Sequence, residues 1–291
     1  MGFSVRGARN SAAPAGRPKA GKHRHRRELA LRTVTLLTPH EPLSRAKQRA
    51  GAATDGGYVV LTDPDIGFVM SYGVGPTSTF EQHFVELGVP VFMFDMTVSG
   101  TRLDHPLATF VREGVAPVPD PSAAMDTVDA HLHRFGLTGR RDGLLQMDVE
   151  GAEWDVLDAI STETLLNFRQ IVLELHHLQR IHKNPQFSRV LEKLTERFYL
   201  VHIHANSLGM LVDFADFSVP SLLEVTFVRK DLVEVGPNQT VFPTELDYPN
   251  RPGTRDQVMN SFPWLPTSLR DAELSAKIEA CVLRLAQRAE G

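Results

Sequence analysis

The feature that most constrains this chain is a repeated order of short apolar runs, each closed by glycine or polar residues and followed by a helical stretch. "GFVMSYGVG" (67–75), "VPVFMFD" (89–95), "DGLLQMD" (142–148) and "RQIVLELHH" (169–177) are continuous apolar runs, the pattern of strands buried on both faces. Helical patterns follow at about 78–87, 121–136, 152–160 and 185–198; the last carries Phe187, Val190, Leu191 and Leu194 at helical spacing. Strands that alternate with helices predict a parallel sheet covered on both sides. "YLVHIHAN" (199–206) and "SLLEVTFVRK" (221–230) have no helical pattern between them, so they are expected to pair antiparallel. The expected fold class is therefore α/β: a doubly wound, mostly parallel, Rossmann-like seven-stranded sheet with a last antiparallel strand. A strand is also expected over Tyr58–Leu61, a short strand in "VAPVPD" (115–120), and short helices over "HPLATFVREG" (105–114) and "ELALRTVTLLTP" (28–39). The chain closes on a helix at about Leu269–Arg288.

Charge divides the chain in two. Residues 1–32 hold seven Arg and two Lys against one acid, Glu28. That leaves 22 basic and 34 acidic of the chain's 31 and 35 for residues 33–291, a net −12. The basic segment is rich in Ala, Gly and Pro and is expected to be a disordered tail, with residues 33–291 forming a single domain that ends in the C-terminal helix. An acidic body disfavours nucleic acid as partner. No run of about 18 apolar residues exists, and the single cysteine, Cys281, excludes a disulfide framework. Both point to a cytoplasmic protein without a membrane partner.

In open α/β sheets ligands bind beyond the carboxyl ends of the strands, so those ends are where function is to be read. Gly73 and Gly75 follow the first buried run and allow a tight turn close to a ligand. Asp95 closes the second run, 22 residues after Gly73, where an acid accepts both hydrogen bonds of a ribose diol. Asp148 ends "GLLQMD" and Glu150 follows. Glu153 and Asp155 fall in the first turns of the next helix, where the helix dipole alone accounts for them. Strand alternation brings Glu174 and His176 to one face, and His202, His204 and Asn206 to another; Glu224 begins the reversed strand at the same edge. Such a cluster suits either general-base catalysis by His176 or His204, or a divalent metal held by a set drawn from Asp148, Glu174, His176, His204 and Glu224. The loop "ELDYPNRPGTRD" (245–256) is either a lid over this cleft or a surface connection.

The stretch "MDVEGAEWDVL" (147–157), with "DGGYVV", "SYGVG", "VLELHHL", "HIHAN" and "LLEVTFVRKD", resembles the FkbM-like group of class I S-adenosylmethionine-dependent methyltransferases over roughly residues 50–250. The resemblance implies O-methylation of a small molecule such as a sugar or natural product, with S-adenosyl-L-methionine as cofactor. It implies cofactor contacts at Tyr72, Gly73, Gly75, Asp95, Asp120 and Asp148, catalysis by Asp148, His176 and His204, and an acceptor facing Glu150, Glu174, Asn206 and Glu224. A metal, where needed, would draw on Asp148, His176 and His204. The chain departs from the class pattern at Ser71, where many members carry an acid; Asp148 or Glu81 is the expected substitute. Two other readings stay open: a non-catalytic binding module on the same fold, motivated by Ser71, and a metal-dependent hydrolase-like enzyme, motivated by the histidines and acids.

Overall fold

The computed structural model describes residues 19–214 and 217–290. Seven strands form the central sheet: β1 (Phe68–Tyr72), β2 (Val91–Phe94), β3 (Ala108–Val111), β4 (Gly143–Met147), β5 (Phe168–Leu175), β6 (Phe198–Ala205) and β7 (Leu223–Arg229). Their order is β3-β2-β1-β4-β5-β7-β6. β1 pairs parallel with β2 and β4, with Tyr72 opposite Phe94 and Met147. β7 runs antiparallel between β5 and β6, and sets Glu224 opposite both Glu174 and His204. This is the doubly wound sheet with one reversed strand that the order of runs predicts. Among the described residues no helix is long and apolar enough to cross a membrane.

The strand pleat sorts the core into two layers. Phe68, Met70, Tyr72, Leu145, Met147, Ile171 and Leu173 face one side, against Val34 of α1 (Lys19–Thr35), Leu132 of α3 (Val128–Arg134), Trp154 of α4 (Glu153–Ala159) and Leu191 of α5 (Pro185–Arg197). Val69, Leu144 and Val172 face the other side, against Phe80, Phe84 and Val85 of α2 (Thr79–Glu86) and the hairpin of strands Lys47–Ala50 and Tyr58–Leu61. Full burial of side chains of this size stabilises by about 1.5–3 kcal/mol each. Polar residues also stand on the second side, where the hairpin meets them: the Gln170 amide closes on both backbone groups of Leu61, and Thr226 donates to the Val59 carbonyl at 2.5 Å.

Three elements differ from expectation. "HPLATFVREG" forms the edge strand β3, not a helix, because pairing with β2 overrides a weak helical pattern. The segment 121–136 is not one helix. A 3₁₀ turn at Pro121–Ala123 ends on Ala124 with φ +52°, and α3 starts afresh behind Thr127, whose hydroxyl caps the Ala130 N–H. The basic tail is not extended to residue 32: α1 already begins at Lys19, buries Ala30, and pairs Arg32 with Glu192 of α5. Residues 1–18 of that expected tail lie outside the described residues.

Candidate active site

A cavity of about 420 Å³ opens at the carboxyl ends of β1, β2 and β4. Its floor is the turn after β1. Gly73 (φ +78°) donates its N–H to the Phe94 carbonyl, and a Cβ there would stand 1.7 Å from the Asp148 carbonyl oxygen. Only glycine lets the ends of β1 and β4 approach this closely. Gly75 turns back with φ +58° and donates to Asp95 Oδ2 at 3.0 Å. Thr97 gives Asp95 Oδ1 two more hydrogen bonds, from its N–H and its hydroxyl. Burial works against the charge of Asp95, but these donors hold its carboxyl below the ordinary range. Tyr72 lines the same cavity, stacked on Phe94 with its hydroxyl 3.1 Å from His131 Nδ1.

Ser71 and Gln146 sit opposite each other on β1 and β4 and face α2. The Ser71 hydroxyl contacts Glu81 Oε1 and, at 2.6 Å, Gln146 Oε1. One hydroxyl proton cannot serve two acceptors, so the set is completed either by a proton on Glu81 or by the Gln146 amide turned to donate to Ser71. Burial pushes the Glu81 carboxyl up to about 7, against the hydrogen bond from Ser71. Both Glu81 and Gln146 line the cavity. A carboxyl from the following helix thus stands beside Ser71.

The opposite wall carries the acids. Asp148 accepts from the Tyr58 hydroxyl at 3.1 Å through Oδ2. Glu150 adopts φ +56°, leaves its side chain 90% exposed and lines the cavity. Behind them Glu174 and His176 are buried. A ligand atom each from Asp148, Glu174 and His176 lies within 4.8 Å of the other two. Burial pushes both carboxyls up: Asp148 to about 6, against His176 and the Tyr58 hydroxyl, and Glu174 further, where the charges of Asp148 and Glu224 add to the burial.

Glu153, the first residue of α4, is fully buried. It accepts from the Gly151 N–H at 2.8 Å and from the His176 N–H at 2.7 Å. It therefore ties the turn after β4 to the end of β5, a role that its place in a helix first turn does not disclose. Tyr58 was equally unmarked in sequence, because its hydrogen bond to Asp148 joins residues 90 apart.

Several expected site residues lie elsewhere. Asp120 is exposed, receives hydrogen bonds from Ser122 and Ala123, and does not reach the cavity. His204 is buried, with Nδ1 2.9 Å from Glu224 and Nε2 3.0 Å from Asp256. Both ring nitrogens are engaged; burial opposes its charge, but these carboxylates hold its pKa well above the usual histidine value. An imidazolium so enclosed is neither a base nor a metal ligand. Glu224 is taken up by His204 and Asn250, and Asn206 donates to Glu174 Oε1 at 3.0 Å from behind. The loop 245–256 accounts for this burial: Asp247 meets His202 at 2.8 Å, Asn250 meets Glu224, and Asp256 meets His204. It is packed on β6 and β7 as part of the core.

No curated protein matches the chain. Among solved structures, a crystal structure assigned as an RNA methyltransferase from Pyrococcus horikoshii is similar at 13% identity and a TM-score of 0.26, over 56% of this chain and 74% of the other. The model of the methyltransferase FkbM domain matches residues 46–201, from the hairpin through β1 to β5 and into β6. The chain belongs to the FkbM methyltransferase family.

Proposed function

We propose that this chain is an S-adenosylmethionine-dependent O-methyltransferase acting on a small hydroxyl-bearing acceptor, within a single domain that takes in α1. The observation that carries the reading is the cavity itself. It has a glycine turn on its floor, Asp95 on one wall and Asp148 on the other, and its volume falls in the roughly 300–1,000 Å³ range of small-molecule sites.

The residues present suit the cofactor. Asp95 keeps acceptor capacity for a ribose diol beyond its bonds to Gly75 and Thr97. Glu81, buried at the cavity wall and without an ion pair among the described residues, suits the methionine ammonium, whose charge would draw the carboxyl to its ionised form. The bound cofactor supplies a methyl group activated on a sulfonium. The protein's share is then to hold the acceptor oxygen in line and to receive its proton. Asp148 reaches the cavity and faces the buried His176, which suits it to accept that proton. The net −12 of residues 33–291 favours a small acceptor over nucleic acid.

Calorimetric titration with S-adenosylmethionine tests the reading. Micromolar binding by the wild-type chain is expected, weakened at least tenfold by Asp95→Ala. A screen of hydroxyl-bearing acceptors then follows. Absence of binding to folded wild-type protein would reject the assignment.

A further inference from the structure

The carboxyl ends of β4 and β5 bring Asp148, Glu174 and His176 together beside the cavity, with Glu150 at its exposed rim. Among the described residues no Lys or Arg forms an ion pair with Asp148, Glu150 or Glu174. Arg49 is engaged on the backbone carbonyls of Ala52, Thr54 and Leu246. Buried carboxylates left without a cation are costly.

The histidine provides a second, separate observation. His176 Nδ1 lies 3.2 Å from the Glu174 carbonyl oxygen and 3.2 Å from Glu153 Oε1, which fixes the ring from behind. Its Nε2 has no hydrogen bond among the described residues. That atom, on a side chain 10% exposed, faces Glu150 at 3.4 Å, Glu174 at 3.8 Å and Asp148 at 3.9 Å. The two longer spacings exceed hydrogen-bond distance, and the contact with Glu150 is an ion-pair approach without a formed hydrogen bond. The shortest matches neighbouring ligand atoms around a four-coordinate ion with bonds of about 2.0–2.2 Å, and the other two would have to close by a few tenths of an ångström on binding. A histidine held at one nitrogen by a carbonyl and a carboxylate, with the other nitrogen free among acids, is the arrangement that orients an imidazole toward a metal. Asn206, donating to Glu174 Oε1, fixes the second carboxylate in the same way.

We infer that Asp148, Glu174 and His176 form a site for one divalent cation, Mn²⁺ matching best a set of two carboxylates and one imidazole, with Glu150 as a movable fourth ligand. Carboxylates alone would favour Mg²⁺ or Ca²⁺, and several imidazoles would favour Zn²⁺; one imidazole among acids lies between. Resting on the proposed methyl transfer, the site selects acceptors with adjacent oxygen donors, which chelate the ion and lose a hydroxyl proton more readily there.

The test titrates MnCl₂ into the full chain without S-adenosylmethionine and follows the six-line electron paramagnetic resonance signal of free Mn²⁺. One saturable site per chain is expected. Glu174→Gln and His176→Ala should each weaken it at least tenfold with the circular dichroism spectrum retained, while Asp95→Ala changes it less than twofold. Glu174→Gln preserves side-chain volume and decides alone if His176→Ala does not fold. No saturable site in the folded wild type, or equal binding in wild type and Glu174→Gln, would overturn the inference. Cofactor affinity measured in chelator-treated protein is independent of this result, so failure of the metal site and failure of the methyltransferase reading are told apart.

Discussion

Glu153 Oε1 accepts a 2.7 Å hydrogen bond from the backbone N–H of His176, joining the first residue of α4 to the end of β5. Its other oxygen takes the Gly151 N–H at 2.8 Å. One buried carboxylate therefore sets the course of two strand-end turns that carry Asp148, Glu150 and His176. Removing it strands two backbone donors, each costing about 1–3 kcal/mol when buried without a partner. Glu153→Ala should destabilise the protein by about 2–4 kcal/mol in urea unfolding, and Glu153→Gln, which keeps an acceptor, by less than half as much.

The two glycines of the β1 turn should respond differently. A Cβ at Gly73 meets the Asp148 carbonyl at 1.7 Å, whereas one at Gly75 meets nothing within 4 Å. Gly75→Ala carries only the left-handed backbone cost, about 1–2 kcal/mol. Gly73→Ala adds a backbone collision and should lose at least about 3 kcal/mol or fail to fold. Thermal and urea midpoints of the two variants side by side measure the difference.

Ser71 and Glu81 make stability pH-dependent. Burial raises the Glu81 carboxyl from 4.5 to about 7, so between these values the folded chain binds a proton that the unfolded chain has released. Stability therefore falls as pH rises through this window, by roughly 3 kcal/mol at most from this group. Glu81→Gln removes the effect. The variant should gain on the wild type from pH 5 to pH 8 in unfolding free energy, with the difference smallest at the acid end. A variant curve parallel to that of the wild type would show that Glu81 ionises normally.

His204 works in the opposite direction. Its folded pKa lies well above the unfolded value near 6.5, so its contribution is fully present below pH 6.5 and is lost as pH rises through the folded value. His204→Ala leaves Glu224 and Asp256 facing each other's surroundings without the cation and should cost about 3–5 kcal/mol at pH 6. The loss should shrink at alkaline pH. Cofactor affinity of the protein that remains folded should change little, since His204 does not line the cavity.

The amino-acid sequence by itself determined the sheet. Continuous apolar runs at β1, β2, β4 and β5 can be satisfied only by strands buried on both faces, and the missing helix before β7 reverses the last strand. Gly73, Gly75, Asp95 and Asp148 were legible for the same reason, since they end those runs and strand ends face the ligand side. Tertiary structure alone decided which polar residues beyond them remain available. His176 and His204 look alike in sequence, each one position from a strand end in an alternating polar pattern. Asp256, 52 residues after His204, closes one imidazole inside the core, while Nε2 of the other makes no hydrogen bond among the described residues. Glu81, Glu153 and Tyr58 likewise gain their roles from contacts that cross between elements. Alternation and helix spacing tell which face a side chain takes, but the partner waiting on that face is supplied by a distant segment whose position only the packed chain sets.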